Sequence, residues 1–292
     1  MLLIFAAILF STLLVVCFKY FIPLKVNTFH AILVNYVIAS LTSYLLSDKN
    51  FEINIHAPWF FFAFCLGLLF IVVFMATSKV AQSISVITSA ITSKMSLVIP
   101  LTYAVLFLGE DMTALKLAAI IMAMIGVVLT VTRPKTEEKG NNSIAAIALI
   151  AVVFVGSGMV DTSFKFIEIN FYNIVPPQYV MMVCYASAGL FGMIYFLFTS
   201  YKKRPEVHGR SIIAGIILGV LNYFSFIFVV DALHTPSLQS TVVFPLINVG
   251  VLLLSTFFAM VLFKERLRMV NYIGVIISIL SIIVLAFQNY AF

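Results

Sequence analysis

Residues 81–108 read AQSISVITSAITSKMSLVIPLTYAVLFL. The stretch exceeds the roughly 20 apolar residues that cross a hydrocarbon layer, yet Lys94 stands at its centre and Pro100 follows six residues later. In a helix over 80–108 the lysine lies 14 residues from either end, about 21 Å of rise, beyond the easy reach of a snorkelling side chain. An ammonium in hydrocarbon is costly, so Lys94 must face the bundle interior, a partner or a water-filled path. Ser85, Thr88, Ser89, Thr92 and Ser96 form a stripe at helical spacing, and Lys94 points away from its centre. The stripe therefore reads as a contact surface between helices. Lys94 reads as a separate feature: an anion contact, a proton-linked group, or a structural lysine bound to helix carbonyls.

The surrounding composition leaves no room for a soluble reading. Of 292 residues, 63% are hydrophobic and 10% charged, with a mean hydropathy of +1.16; soluble domains sit near 45–50% and 25%. The net charge of +6 would suggest nucleic acid in a soluble chain. Here the basic residues sit in short joints, where they report topology and anionic headgroups, so lipids and not nucleic acid are the expected partners. Cys17, Cys65 and Cys184 fall in apolar segments without metal-ligand spacing and read as buried small hydrophobes. No nucleotide loop, zinc motif or nucleophile elbow is present, so neither an enzyme nor a cofactor is expected.

Ten segments meet the spanning length: 1–22, 29–47, 58–77, 80–108, 113–132, 143–165, 174–198, 211–231, 236–262 and 269–288. The polar joint 133–142 divides them into a first half, 1–132, and a second half, 143–292. Sliding residue 110 onto 265 aligns Glu110 with Glu265, Ala119 with Gly274 and Gly126 with Ser281. Small residues at matching positions mark a helix packing face. Five segments per half is odd, so the halves enter the membrane from opposite sides. The expected fold is all-α, with ten transmembrane helices in two inverted five-helix repeats, an arrangement that in carriers places the site near mid-membrane between the repeats.

Joints on one face carry thirteen Lys and Arg, and those on the other only Lys49, Lys116 and Lys165. The positive-inside rule puts the thirteen in the cytoplasm and both termini outside. Residues 133–268 supply ten of them.

Other polar residues in apolar segments join Lys94 as candidates. Asn248 lies one position from the repeat partner of Lys94, with Gln239 nine residues before it, about two and a half turns away. Asn222 and Tyr223 follow Gly215-Ile-Ile-Leu-Gly219, a spacing that supports close helix approach. An amide in an apolar segment wants a partner, so Asn222, like Asn35, reads as either structural or solute-binding. Asp161 is the deepest acid and the candidate for proton coupling; Lys165, four residues on, is within pairing reach along the helix. Pro100 and Pro245 lie well inside long segments and are candidate hinges. Glu110 and Glu265 read as architectural, capping the helices that follow. Trp59, beside Pro58, reads as an interfacial belt residue.

Two stretches carry a family likeness: LTYAVLFLGEDMTALKLAAIIMAMIGVVL (101–129) and LLLSTFFAMVLFKERLRMVNYIGVIISILSIIVL (252–285). With ten segments in two halves and an acid closing the fourth of each, the chain resembles the drug/metabolite transporter superfamily, EamA type. Glu110 and Glu265 match the family's acid at that place. The resemblance implies a multi-pass carrier of the inner (plasma) membrane for small organic solutes such as metabolites, amino acids or drug-like compounds. It further implies export, alternating access at a central cavity, and cytoplasmic termini where the loop charges place them outside. Family members commonly have a tryptophan in the first helix, where this chain has Val16-Cys17-Phe18.

The expected function is secondary transport of such a solute, with a proton or other ion as the coupling partner and a monomer or homodimer as the unit. The competing reading is a structural or lipid-handling membrane protein in which Lys94 only fastens helices.

Overall fold

The computed structural model describes residues 2–47, 52–108, 113–131, 142–171, 174–200, 208–233, 240–264 and 268–287. Glu110, Gln239 and Glu265 lie outside them. The described residues form α1 (Leu2–Tyr20), α2 (Thr28–Leu45), α3 (Pro58–Ser83), α4 (Val86–Met95), α5 (Val98–Leu108), α6 (Ala114–Val131), α7 (Asn142–Phe171), α8 (Pro177–Ser200), α9 (Gly209–Leu233), α10 (Ser240–Phe263) and α11 (Met269–Phe287). Helices satisfy their own backbone polar groups, the condition for crossing lipid. Among the described residues seven are long and apolar enough to span a membrane: α1, α2, α3, α7, α8, α9 and α10. The protein is an all-α, multi-pass membrane protein.

Helix starts follow local chemistry. Asn27 caps α2 by accepting the His30 amide at 3.2 Å. Pro58 opens α3, where its missing N–H costs nothing. Ser85 caps α4, accepting from the amides of Ile87 at 3.0 Å and Thr88 at 3.3 Å.

That cap corrects the expectation of one helix over 80–108. Residues 80–83 belong to α3, and the remainder is two helices with Ser96 and Leu97 between them. The physical reason is Pro100. Its ring would meet the carbonyl four residues back, that of Ser96, and it has no N–H to offer. Breaking at Ser96 moves Pro100 into the first turn of α5, where both defects vanish. The turn is closed by the Ser96 hydroxyl, which donates to the Ser93 carbonyl at 2.6 Å, and by the Ile99 amide, which donates to Ser96 at 2.9 Å. Lys94 thus sits in the last turn of a half-helix, where a cation meets the negative end of the dipole. In the second half α10 runs unbroken through Pro245.

Pro100→Ala should let α4 and α5 rejoin. The expected result is slower amide hydrogen exchange at residues 96–100, with protein yield preserved. Unchanged exchange there would mean that something other than the proline holds the break open.

The helices interlock across the chain's midpoint. α2 crosses α9 and α3 crosses α8; α1 packs on α9 and α7 on α3; α1 meets α10, and α7 meets α4 and α5. α6 pairs with α11, α2 with α8 and α4 with α10. With α4 and α5 counted as one interrupted segment, each of these pairings maps onto another, or onto itself, when every segment is replaced by the one five places along.

Lipid is as apolar as leucine, so such contacts depend on close packing and small residues. Gly215 and Gly219 lie where α9 crosses α2: a Cβ there would come 2.6 Å from the Ala31 carbonyl and 2.7 Å from the Asn35 carbonyl. A Cβ on Gly126 of α6 would come 3.0 Å from the Ser278 nitrogen and 3.1 Å from the Gly274 carbonyl of α11. The Ser/Thr stripe of α4 is buried, with the Ser89 hydroxyl donating to Thr77 of α3 at 3.2 Å.

Two side chains face otherwise than expected. Trp59 is 3% exposed and packs in the core against Phe60, because α3 turns that face inward. Cys65 is exposed on the outer surface of the same helix and Cys17 is half-buried; only Cys184 is fully enclosed.

Candidate functional site

A cavity of about 210 Å³ lies inside the bundle, lined from α1, α2, α3, α4, α7, α9 and α10. Lys94 and Asp161 both line it. α4 presents the lysine from its final turn. α7 presents the aspartate from mid-helix, since α7 continues to Phe171 and not only to residue 165. Asp161 therefore does not end a helix beside Lys165. The charge it meets is Lys94, from the other half of the chain. Each feels the other's field, and both are half-buried because their free atoms face the cavity. Among the described residues no ion pair or side-chain hydrogen bond holds either one.

Asn248 of α10 and Asn222 of α9 complete the predicted lining. Asn222 is fixed from behind: its Nδ2 donates to Asn35 Oδ1 at 3.1 Å, and its backbone carbonyl accepts from the Tyr185 hydroxyl at 3.4 Å. Asn35 is fully buried and stands behind the lining, donating to the Ile32 carbonyl at 3.5 Å. Tyr223 is buried against Phe224 and also lies outside the lining.

Sequence reasoning missed much of the wall. Ser11, Thr77, Ser93, Ser157 and Ser225 add hydroxyls. Ser157 had a signal in its neighbours: a Cβ on Gly156 or Gly158 would strike Val73 of α3 or Ile99 of α5, so this Gly-Ser-Gly seats α7 close to both. Opposite in character is an aromatic wall. Phe226 stacks on Phe70 at 5.7 Å and meets Phe164 at 5.1 Å. Phe18 and Tyr36 close on Phe74 at 5.0 and 5.8 Å. The enclosure thus offers one cation, one anion, neutral hydrogen-bonding groups and a flat apolar face, the make-up of a small-molecule site.

Residues 1–132 match the model of the EamA-like transporter family. The first half of the chain is thus similar to that family. That family is one of transporters and not of enzymes. An uncharacterized protein of Haemophilus influenzae is 29% identical over 268 residues, covering 89% of this chain and 88% of that one. The likeness to it runs through both halves of the chain. A solved crystal structure superposes with a TM-score of 0.64 at 14% identity, over 99% of this chain and 96% of its own. At that identity the likeness speaks for the fold alone, and it takes in the second half as well as the first.

Proposed function

We propose that this protein is a secondary carrier that moves a small organic solute across the inner membrane by alternating access, in the direction of export. In this reading the ten segments form two inverted five-helix repeats, residues 1–132 and 143–292, joined by the polar linker 133–142. The interrupted fourth segment counts once. The exchange symmetry of the packing supports the repeats, as does the structural likeness over both halves. A proton or other ion couples the cycle.

The observation that carries the reading is the cavity where the halves meet, with Lys94 from the first and Asp161, Asn222 and Asn248 from the second. A charge at membrane depth is retained where it handles a solute or an ion, and a half-helix ending at the cavity is how carriers bring polar groups to mid-membrane. The test is solute exchange in proteoliposomes over amino acids, nucleosides, sugars, organic acids and small cations, with Lys94→Ala alongside and a pH gradient on or off. Specific flux that falls at least tenfold in Lys94→Ala is the expected result. No flux for any solute, from protein shown to be folded, would return the lysine to a structural role.

A further inference from the structure

Lys94 and Asp161 are 67 positions apart in sequence and come from helices of different halves, yet they share one small enclosure. Two features of the pair are informative together. Their charges sense each other across the cavity, but no ion pair joins them among the described residues. Neither is spent on the helix carbonyls or hydroxyls nearby. Ser93 bonds the Ala90 carbonyl at 3.2 Å, Ser225 bonds the Asn222 carbonyl at 2.8 Å, and the Asn222 amide nitrogen is committed to Asn35. A fastening between helices would close the gap, because a buried pair repays its desolvation only through close contact and full hydrogen bonding. Opposite charges held apart, each with its hydrogen-bonding capacity unused, form a receptor for a dipole.

We propose that Lys94 and Asp161 are the two poles of one recognition site, selecting net-neutral zwitterions, carboxylate toward Lys94 and ammonium toward Asp161, over solutes bearing only one of these charges. The inference rests on the carrier reading only in taking the cavity as the solute site. Electroneutrality gives the selectivity. In their ordinary ionised forms Lys94 and Asp161 bring +1 and −1 to an enclosure that Phe70, Phe164 and Phe226 also line. A zwitterion leaves that sum at zero and supplies each pole with a charge-assisted partner. A monoanion satisfies Lys94 but brings a second negative charge near Asp161 in a poorly screened space, and a monocation does the reverse. Asn222, whose amide nitrogen is engaged by Asn35, adds its Oδ1 to the lining as a neutral acceptor. The aromatic wall takes the remaining apolar part, and about 210 Å³ confines it to a small molecule.

The test is equilibrium binding to the intact purified protein in detergent, using three matched sets. Each set has a zwitterion, its analogue lacking the ammonium and its analogue lacking the carboxylate: glycine, acetate and methylamine; leucine, 4-methylpentanoate and 3-methylbutylamine; phenylalanine, 3-phenylpropanoate and 2-phenylethylamine. In at least one set the zwitterion should bind about tenfold or more tightly than either partner, the worth of one charge-assisted hydrogen bond. Asp161→Asn should turn the preference toward the carboxylate and Lys94→Met toward the amine. The exchanged pair, Lys94→Asp with Asp161→Lys, should recover the zwitterion, which guards against reading a folding defect as a binding one. Monoanion binding as tight as the zwitterion, unchanged selectivity in Asp161→Asn, or no binding in any set would overturn the proposal. Zwitterion preference in binding without flux in vesicles would uphold the site and sink the carrier reading; flux of a monoanion with no such preference would do the reverse.

Discussion

Gly67→Val should leave little folded protein to purify. Gly67 lies where α3 crosses α8, and a Cβ added there would strike the Ser187 hydroxyl and come 2.6 Å from the Cys184 carbonyl and 2.7 Å from the Ala188 nitrogen. A hydroxyl can swing aside. Two backbone atoms on the facing helix cannot, so the helices must separate. Separation is expensive here because no water waits to be released on packing, and the close approach itself holds the pair together. Around the crossing Leu66, Phe70, Tyr185 and Ala188 belong to one buried cluster and would lose contact in concert. Overpacking costs about 1–3 kcal/mol where side chains can yield and more where, as here, facing backbone cannot, a large share of the 5–15 kcal/mol by which folded proteins are stable. Gly189→Ala is the control. It lies two residues from Ser187 on the same helix, and its added Cβ would meet only Tyr36 Cβ, at an ordinary 3.5 Å. The contrast is read from monodisperse yield and melting temperature. Equal behaviour of the two variants would mean that α3 and α8 are not this close.

The sequence disclosed this architecture unevenly, and the reasons are physical. A lysine in the middle of an apolar run has few explanations, so Lys94 stood out, and the 155-residue offset led from it to Asn248, which shares its cavity. The family likeness is legible in the two quoted stretches, and the match over residues 1–132 takes in the first of them. Other features depend on how a helix is rotated, which residue type does not reveal. Trp59 has the composition of an interface residue and the burial of a core one. The chain has 29 phenylalanines, and nothing local separates Phe70, Phe164 and Phe226 from those that face lipid. Asp161 was matched to Lys165 because an i, i+4 spacing is visible in sequence, whereas its tertiary neighbour Lys94 is not. The helix break was signalled by Pro100 but occurs a turn earlier, because the proline's clash falls on the carbonyl four residues back.

Asn35→Leu and Asn222→Leu should each destabilise the protein, while the double variant should recover most of the loss without recovering transport. Asn35 is 0% and Asn222 2% exposed, and the hydrogen bond between them joins α2 to α9 beside the glycine crossing. Replacing Asn222 alone strands Asn35 Oδ1 with no water to turn to; replacing Asn35 alone strands the Asn222 amide nitrogen. A buried polar group left unpaired costs about 1–3 kcal/mol, whereas exchanging both members for apolar groups of similar shape approaches neutrality. The single variants should therefore melt several degrees lower and the double close to wild type. Transport should divide the two residues differently. Asn35 stands behind the wall and Asn222 lines the cavity, so in the proposed carrier Asn222 would meet the solute and Asn35 would act only by aiming it. Flux per folded molecule should accordingly fall severalfold in Asn35→Leu, at least tenfold in Asn222→Leu, and stay low in the double variant despite its restored stability. Stability and flux recovering together would make the amide pair a fastening alone, whereas their separation places Asn222 in the path of the solute.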